Sequence, residues 1–188
     1  MDPTQPVFYY DLGDPRCYIL AETIMSTLPV VPEWEPVLGA NLATPVDLAN
    51  KSDRLQIEQL AVRFDLQPIR WPANWPPDTT TAMLAATYAK RIGRAVAFSL
   101  AAFRQAFAGG RDLSDPDTVL IAGAACEMHP TALRRGIELA GTEAALAAAN
   151  QRAAAAGVSE LPAIQVGSRV FMGIDAITPA TAAIVNSA

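Results

Sequence analysis

Apolar residues gather in short dense runs near both ends of the chain, with helical stripes between them. Val7-Phe8-Tyr9-Tyr10-Asp11-Leu12, rich in aromatic and β-branched residues, predicts a buried strand. Gly13 then lets the backbone turn sharply. Tyr18-Ile19-Leu20-Ala21-Glu22-Thr23-Ile24-Met25 reads as a helix, with Asp14 as its N-cap and Pro15 in the first helical position, where a missing N–H costs nothing. Residues 30–38 carry Pro32 and Pro36 and predict a second strand at a sheet edge or of irregular form. A helix is expected from Thr44 or Asp47 to Phe64. The segment Arg70-Trp71-Pro72-Ala73-Asn74-Trp75-Pro76-Pro77 cannot be helical, since each proline restricts its neighbour, and predicts a rigid extended connector.

From Asp78 or Thr79 the pattern predicts one long helix. Ile92, Val96, Leu100, Phe103 and Phe107 recur at three- to four-residue spacing on its core face, and Lys90, Arg91, Arg94 and Arg104 take the other. Gly109-Gly110 end it, and Ser114-Asp115-Pro116-Asp117 cap the next helix, which runs through Val119, Leu120 and Ile121 towards Cys126. Two more helices are expected near residues 130–139 and 142–156, with Gly141 and Gly157 as punctuation. His129, the single histidine, stands at a helix start and reads as a capping residue. At the far end Leu161-Pro162-Ala163-Ile164-Gln165-Val166 reads as an X-Pro bond leading into a strand. Gly167-Ser168 is a hairpin turn, Arg169-Val170-Phe171-Met172 the return strand, and a last helix begins near Thr178-Pro179.

Composition narrows the class of function. The chain has 188 residues, 51% of them hydrophobic, enough to bury a full core as one domain with an insertion. No apolar run reaches a bilayer span, and the acidic start Met1-Asp2-Pro3-Thr4 does not resemble a secretory signal, so a cytoplasmic location with no membrane partner is expected. The net charge of −5, with two lysines and twelve scattered arginines, argues against nucleic acid as a partner. Two cysteines, Cys17 and Cys126, have neither zinc-site nor disulfide-framework spacing, and no metal is expected.

The candidate chemistry lies in Asp14-Pro15-Arg16-Cys17, which has the C-P-x-C spacing of a redox turn with a carboxylate in place of the first thiol. Cys17 reads either as helix packing or as a surviving resolving thiol. About 150 residues later come Leu161-Pro162, the hairpin and the closing helix. Strand, active turn, helix, cis-proline, hairpin and closing helix is the order a thioredoxin fold requires.

Together these segments resemble the DsbA superfamily, and within it the branch of 2-hydroxychromene-2-carboxylate isomerases and kappa-class glutathione transferases. The opening pattern of that branch, like F-Y-D-x-x-S-P-Y-S-Y-L, is similar to Tyr9-Tyr10-Asp11-Leu12-Gly13-Asp14-Pro15-Arg16-Cys17-Tyr18-Ile19. Its mid-chain P-x-N-T-x-x-A-M resembles Pro76-Pro77-Asp78-Thr79-Thr80-Thr81-Ala82-Met83, with Asp for Asn. Its ending, F-x-G-x-D-R, resembles Phe171-Met172-Gly173-Ile174-Asp175-Ala176, lacking the arginine. The resemblance implies an α/β thioredoxin-like fold with an all-α helical insertion. Residues 1–43 and 158–188 would form the thioredoxin-like part and 44–157 the insertion, in a homodimer like those of such relatives.

The resemblance also implies glutathione as cofactor and a small-molecule substrate, a carboxylated aromatic among the choices. Asp14, Arg16 and Cys17 are then the candidate catalytic residues. Leu161 would offer backbone groups to the cysteinyl part of glutathione beside cis-Pro162, and Asp175, next to Ile174, would meet the γ-glutamyl ammonium. Arg16 either pairs with a substrate carboxylate or is a solvated helix residue. Asn74 either contacts the ligand from a cleft flanked by Trp71 and Trp75 or forms a turn, and the tryptophans themselves read as packing. Asp14 sets the difficulty. A carboxylate does not donate a hydrogen bond to a thiolate, and moving a thiol proton onto it is uphill by roughly 6 kcal/mol on the ordinary values of the two groups. A helix N-terminus returns about 0.3–1 kcal/mol, at most near 2, and favours the ionised carboxylate. Three readings follow: a glutathione-dependent isomerase or transferase-like enzyme, a thioredoxin-fold binding protein without turnover, and a thiol–disulfide oxidoreductase, for which an ordinary dithiol cycle lacks its nucleophile.

Overall fold

The structure, a computed structural model, describes residues 5–42 and 50–186. The expected helix start at Thr44 or Asp47 and the expected boundary at 43/44 lie outside the described residues. Four short strands form one mixed sheet in the order β2-β1-β3-β4: β1 (Val7–Tyr10), β2 (Glu33–Pro36), β3 (Ala163–Val166) and β4 (Arg169–Met172). β1 runs parallel to β2, with Phe8 level with Trp34, and antiparallel to β3, with Phe8 opposite Ile164. β3 and β4 form the expected hairpin about Gly167, whose φ of +59° suits glycine. The proline-bearing β2 lies at a sheet edge, where its missing donors leave no gap in a ladder.

Around this sheet the helices are α1 (Pro15–Thr27), α2 (Lys51–Arg63), α3 (Thr80–Arg91), α4 (Ala95–Phe103), α5 (Pro116–Ala125), α6 (Pro130–Ile137), α7 (Ala140–Ala155) and α8 (Ile177–Val185). α1 and α8 pack on each other, α8 on β3 and β4, and α3 and α7 on β2. This is the α/β thioredoxin-like arrangement with an added helical layer. Among the described residues no helix is long and apolar enough to cross a membrane.

The helical layer is fastened to the sheet by polar contacts as well as apolar ones. Glu35 of β2 is buried and accepts from Lys90 Nζ of α3 at 2.7 Å and Arg152 Nη2 of α7 at 3.1 Å, so its charge is matched where water cannot reach it. The Tyr10 hydroxyl, fully buried, pairs with Ser99 Oγ of α4 at 2.6 Å. Phe8, Tyr10, Trp34, Phe103, Phe107 and Tyr18 form a chain of ring contacts at 5.1–6.5 Å that carries the core from sheet to helices.

The single long helix expected from Asp78 onward is two helices. Arg94 N–H returns to the Ala89 carbonyl at 2.7 Å and Gly93 takes φ +74°, so α3 stops at Arg91 and Ile92 is left 47% exposed instead of facing the core. The periodicity resumes in α4 and continues through a π-helical turn, Arg104–Ala108, that keeps Phe107 buried. Gly141 lies inside α7 and does not bound it: Thr142 N–H and Glu143 N–H already bond the Leu139 carbonyl at 2.8 and 3.3 Å, and the buried Thr142 hydroxyl ties the helix start to the Gly136 carbonyl of α6. His129 and Asp115 cap α6 and α5 by accepting from Thr131 N–H and Asp117 N–H, as expected.

Gly13 permits the closest approach between the strand–helix turn and the start of α3: a Cβ there would lie 2.6 Å from Thr79 Cγ2. Gly13→Ala is expected to destabilise by about 1–3 kcal/mol in urea denaturation. Most of that loss should vanish in the Thr79→Ser background, which removes the methyl and keeps the hydroxyl. Equal losses in both backgrounds would show that the clash is not the cause.

Candidate functional site

The site is built on the turn between β1 and α1, and Asp11 holds that turn in place. Tyr10 ends the strand, Asp14 N–H bonds the Asp11 carbonyl at 3.1 Å, and the Asp11 side chain points inward. Its Oδ1 accepts from Gly13 N–H at 2.8 Å and Thr79 Oγ1 at 3.0 Å, and its Oδ2 from Gly39 N–H at 2.7 Å. One buried carboxyl thus joins the active turn, the segment after β2 and the start of α3. Thr79 therefore does not cap α3 with its side chain, and Asp78 does so by accepting from Thr80 N–H. Burial raises the Asp11 pKa above its ordinary value of 3.8, against the lowering effect of its three donors.

At the head of α1, Asp14 is the N-cap as expected: Oδ1 accepts from Arg16 N–H at 2.8 Å. The same carboxylate is gripped by the Arg16 guanidinium, from Nε to Oδ1 at 3.1 Å and from Nη2 to Oδ2 at 2.5 Å. Arg16 Nη1 reaches across the fold to Glu160 Oε1 at 3.0 Å. Burial opposes charge on Arg16, but the hydrogen bond and charge of Asp14, with further help from Glu160, raise its pKa. Arg16 is therefore not a solvated helix residue: its side chain is only 14% exposed, with acids on both sides.

Glu160 lies two residues before Pro162, and the Leu161–Pro162 bond is cis. The Arg16–Glu160 bridge therefore brings the turn and the cis-proline loop together, 144 residues apart in sequence. Pro162 is buried, and its carbonyl accepts from Gly173 N–H at 2.8 Å. Leu161 is buried beside Gly39, yet neither its N–H nor its C=O finds a hydrogen-bond partner among the described residues. Such a pair of open backbone groups is the edge on which an extended peptide can lie. Gly173 has φ +81° and faces the Glu160 carboxylate, and a 3₁₀ turn, Ile174–Ala176, packs on α1. Ile174 is half-buried and Asp175 exposed. Beyond the loop an open cleft of ≈ 410 Å³ is lined by Asn41, Leu42, Gly157, Val158 and Ser159, and not by Asp14 or Arg16.

Two candidates stand apart from this cluster. Asn74 is exposed and donates to Asp112 Oδ2 at 2.9 Å, which makes it a loop-to-loop tie; the residue of its segment that reaches the turn is Thr79. Cys17, named as a catalytic candidate, is 0% exposed, and burial, with the charge of Asp14, pushes its thiol well above the ordinary range. It is a packing residue, since reactivity needs an accessible thiolate. Cys126 is also buried and free, its thiol against the Ala122 and Gly123 carbonyls. Trp71 and Trp75 pack edge to face and hold the Arg54 guanidinium over both rings, with centroids 5.1 and 5.4 Å away. Among the described residues no three His, Cys, Asp or Glu side chains are grouped to hold a metal ion.

Asp11, Thr79 and Glu160 were not singled out by sequence reasoning. Asp11 and Thr79 stand inside two of the motifs quoted above, but motif membership does not say that one bonds the other. Glu160 had no local signal.

A family model of the DSBA-like thioredoxin domain matches residues 7–184. No curated protein matches the chain. Among solved structures, a 2-hydroxychromene-2-carboxylate isomerase superposes with TM-score 0.81 at 17% identity, covering 97% of this chain and 95% of that one. A probable DsbA oxidoreductase from Streptomyces coelicolor gives 0.76 at 16%, covering 97% and 89%. The cytosolic disulfide reductase DsbM from Pseudomonas aeruginosa with GSH gives 0.63 at 16%, covering 88% and 87%. At these identities the likeness is one of fold.

Two measurements check this description. A thiol reagent should label close to none of the two cysteines in the native protein and both after denaturation; rapid native labelling of Cys17 would overturn its burial. Asp11→Asn should cost about 1–3 kcal/mol, because its amide must face one of the three donors. The raised folded pKa of Asp11 means that its contribution is complete below pH 3.8 and lost as pH rises through the folded value. The stability gap between wild type and Asp11→Asn should therefore widen on acidification from pH 7 towards 4, and a flat or narrowing gap would contradict the raised pKa.

Proposed function

The chain belongs to the DSBA-like thioredoxin domain family, and from that premise we propose that it is a non-redox member: a glutathione-dependent isomerase or transferase-like protein in which the reacting sulfur belongs to the ligand. The observation that carries this is the absence of an accessible thiol at the turn, among the described residues. A carboxylate stands in the first thiol position and Cys17 is fully buried. A dithiol cycle is thereby disfavoured, since it needs an exposed thiolate to attack and a second thiol to resolve.

The peptide part of glutathione fits what the loop offers. Leu161 has both backbone groups open beside cis-Pro162, and Asp175 is exposed two residues after Gly173 and suits an ammonium. When bound, glutathione supplies the sulfur the turn lacks. The chain's own residues bind and orient it: Leu161 sets the backbone register, Asp11 fixes the turn, and Arg16 presents the guanidinium hydrogens not already given to Asp14 and Glu160. Likeness of fold to the isomerase and to the GSH-bound reductase supports the choice of ligand.

A second reading, a binding protein without turnover, is favoured by one feature of the same cluster. Asp14 and Glu160 flank a single Arg16, so with both acids ionised the group carries one net negative charge and opposes a thiolate. Calorimetry separates the readings. Reduced glutathione is expected to bind the wild type, and no heat at millimolar ligand would sink both its cofactor role and the turnover proposal. Asp14→Ser replaces an acceptor with a hydroxyl donor and should increase the thiolate absorbance of bound glutathione. Unchanged absorbance would remove residue 14 from the sulfur site.

A further inference from the structure

The two acids on Arg16 are held very differently. Asp14 is on the same helix head, its side chain is 10% exposed, and it takes both Nε and Nη2 as well as the Arg16 backbone N–H. Glu160 comes from the opposite element, its side chain is 43% exposed, and it accepts one bond, from Nη1. The first contact is a bidentate pair built into the helix cap, whereas the second is a single bond from a half-exposed side chain, of a kind that contributes little and exchanges readily. Glu160 also sits next to Leu161, whose backbone groups are open.

From this asymmetry we infer that Glu160 is a built-in competitor for the ligand: its carboxylate occupies the place on Arg16 Nη1 that a ligand carboxylate takes, and it swings away when an anionic ligand enters along the Leu161 edge. Glu160 is thus a specificity-determining residue, and the ligand class is a small carboxylate. A neutral ligand cannot replace the charge that Glu160 withdraws, so it leaves the bridge closed. Displacement is physically undemanding because the released Glu160 regains water, and Asp14 keeps Arg16 oriented throughout. The inference rests on the groove being the ligand site, as proposed above, and not on that ligand being glutathione.

The test compares wild type, Glu160→Gln and Glu160→Ala, using salicylate and its neutral twin salicylamide as probes in calorimetry. Removing a half-exposed competitor should tighten salicylate binding by about two- to five-fold, as expected for a surface ion pair, and leave salicylamide unchanged. Both variants should melt within about 4 °C of wild type, since so small a pair contributes little to stability. Equal salicylate affinity in all three proteins, an equal gain for salicylamide, or no salicylate binding to any of them would overturn the inference. If glutathione fails to bind while the salicylate gain persists, the glutathione reading falls and this one stands.

Discussion

The site depends first on the three donors that converge on the Asp11 carboxyl. They come from the active turn, from the segment leaving β2 and from the head of α3, three parts of the chain far apart in sequence. A buried carboxyl is costly unless its acceptor capacity is met, and meeting it here requires all three segments to be in register. Gly13 and Gly39 both come close enough that a side chain would press on Thr79 or Asp11. The position of the turn over the cis-proline loop is thus fixed from below by a polar pin and from the sides by packing.

On that fixed base, the head of α1 has an ion pair where a thiol pair would do redox work. The exchange alters the electrostatics as well as the nucleophile. A helix N-terminus normally makes its first turn attractive to anions, but Asp14 already occupies it and Arg16 already neutralises Asp14. What remains for a ligand is the backbone edge at Leu161 and the outer face of Arg16. On the reading proposed above, ligand recognition takes the place of electron transfer as the use of the groove.

Much of this architecture could be read in the sequence. The aromatic strand, the Asp-Pro helix start, the proline-bearing edge strand and the hairpin depend on local pattern and turn chemistry, the cis form of the bond before Pro162 on the element order of a thioredoxin fold, and the structure has each of them. The break in the helix expected from Asp78 is not legible, because hydrophobic spacing survives it: Gly93 and Arg94 interrupt the backbone while Val96, Leu100 and Phe103 keep nearly the same phase. Asp14 was legible as a cap and as a lost thiol, whereas its partner was not, since the grip of Arg16 depends on side-chain geometry and Glu160 meets it from 144 residues away. The sequence leaves Asn74 open between ligand contact and a turn for a related reason, because a proline-rich connector does not reveal in which direction each side chain points.

The central strand has a consequence for how the molecule comes into being. β1 lies between β2, which follows it directly, and β3, whose Gln165 accepts from the Tyr9 hydroxyl 156 residues away. At a synthesis rate of about 5–20 residues per second, the Val7–Tyr10 edge waits roughly 8–30 s for its second neighbour. During that interval a strand rich in aromatic residues has an open hydrogen-bonding edge, the kind of surface that recruits other chains. A nascent chain of this topology therefore has reason to need a chaperone, or rapid cover from α1, until residues 163–166 leave the ribosome.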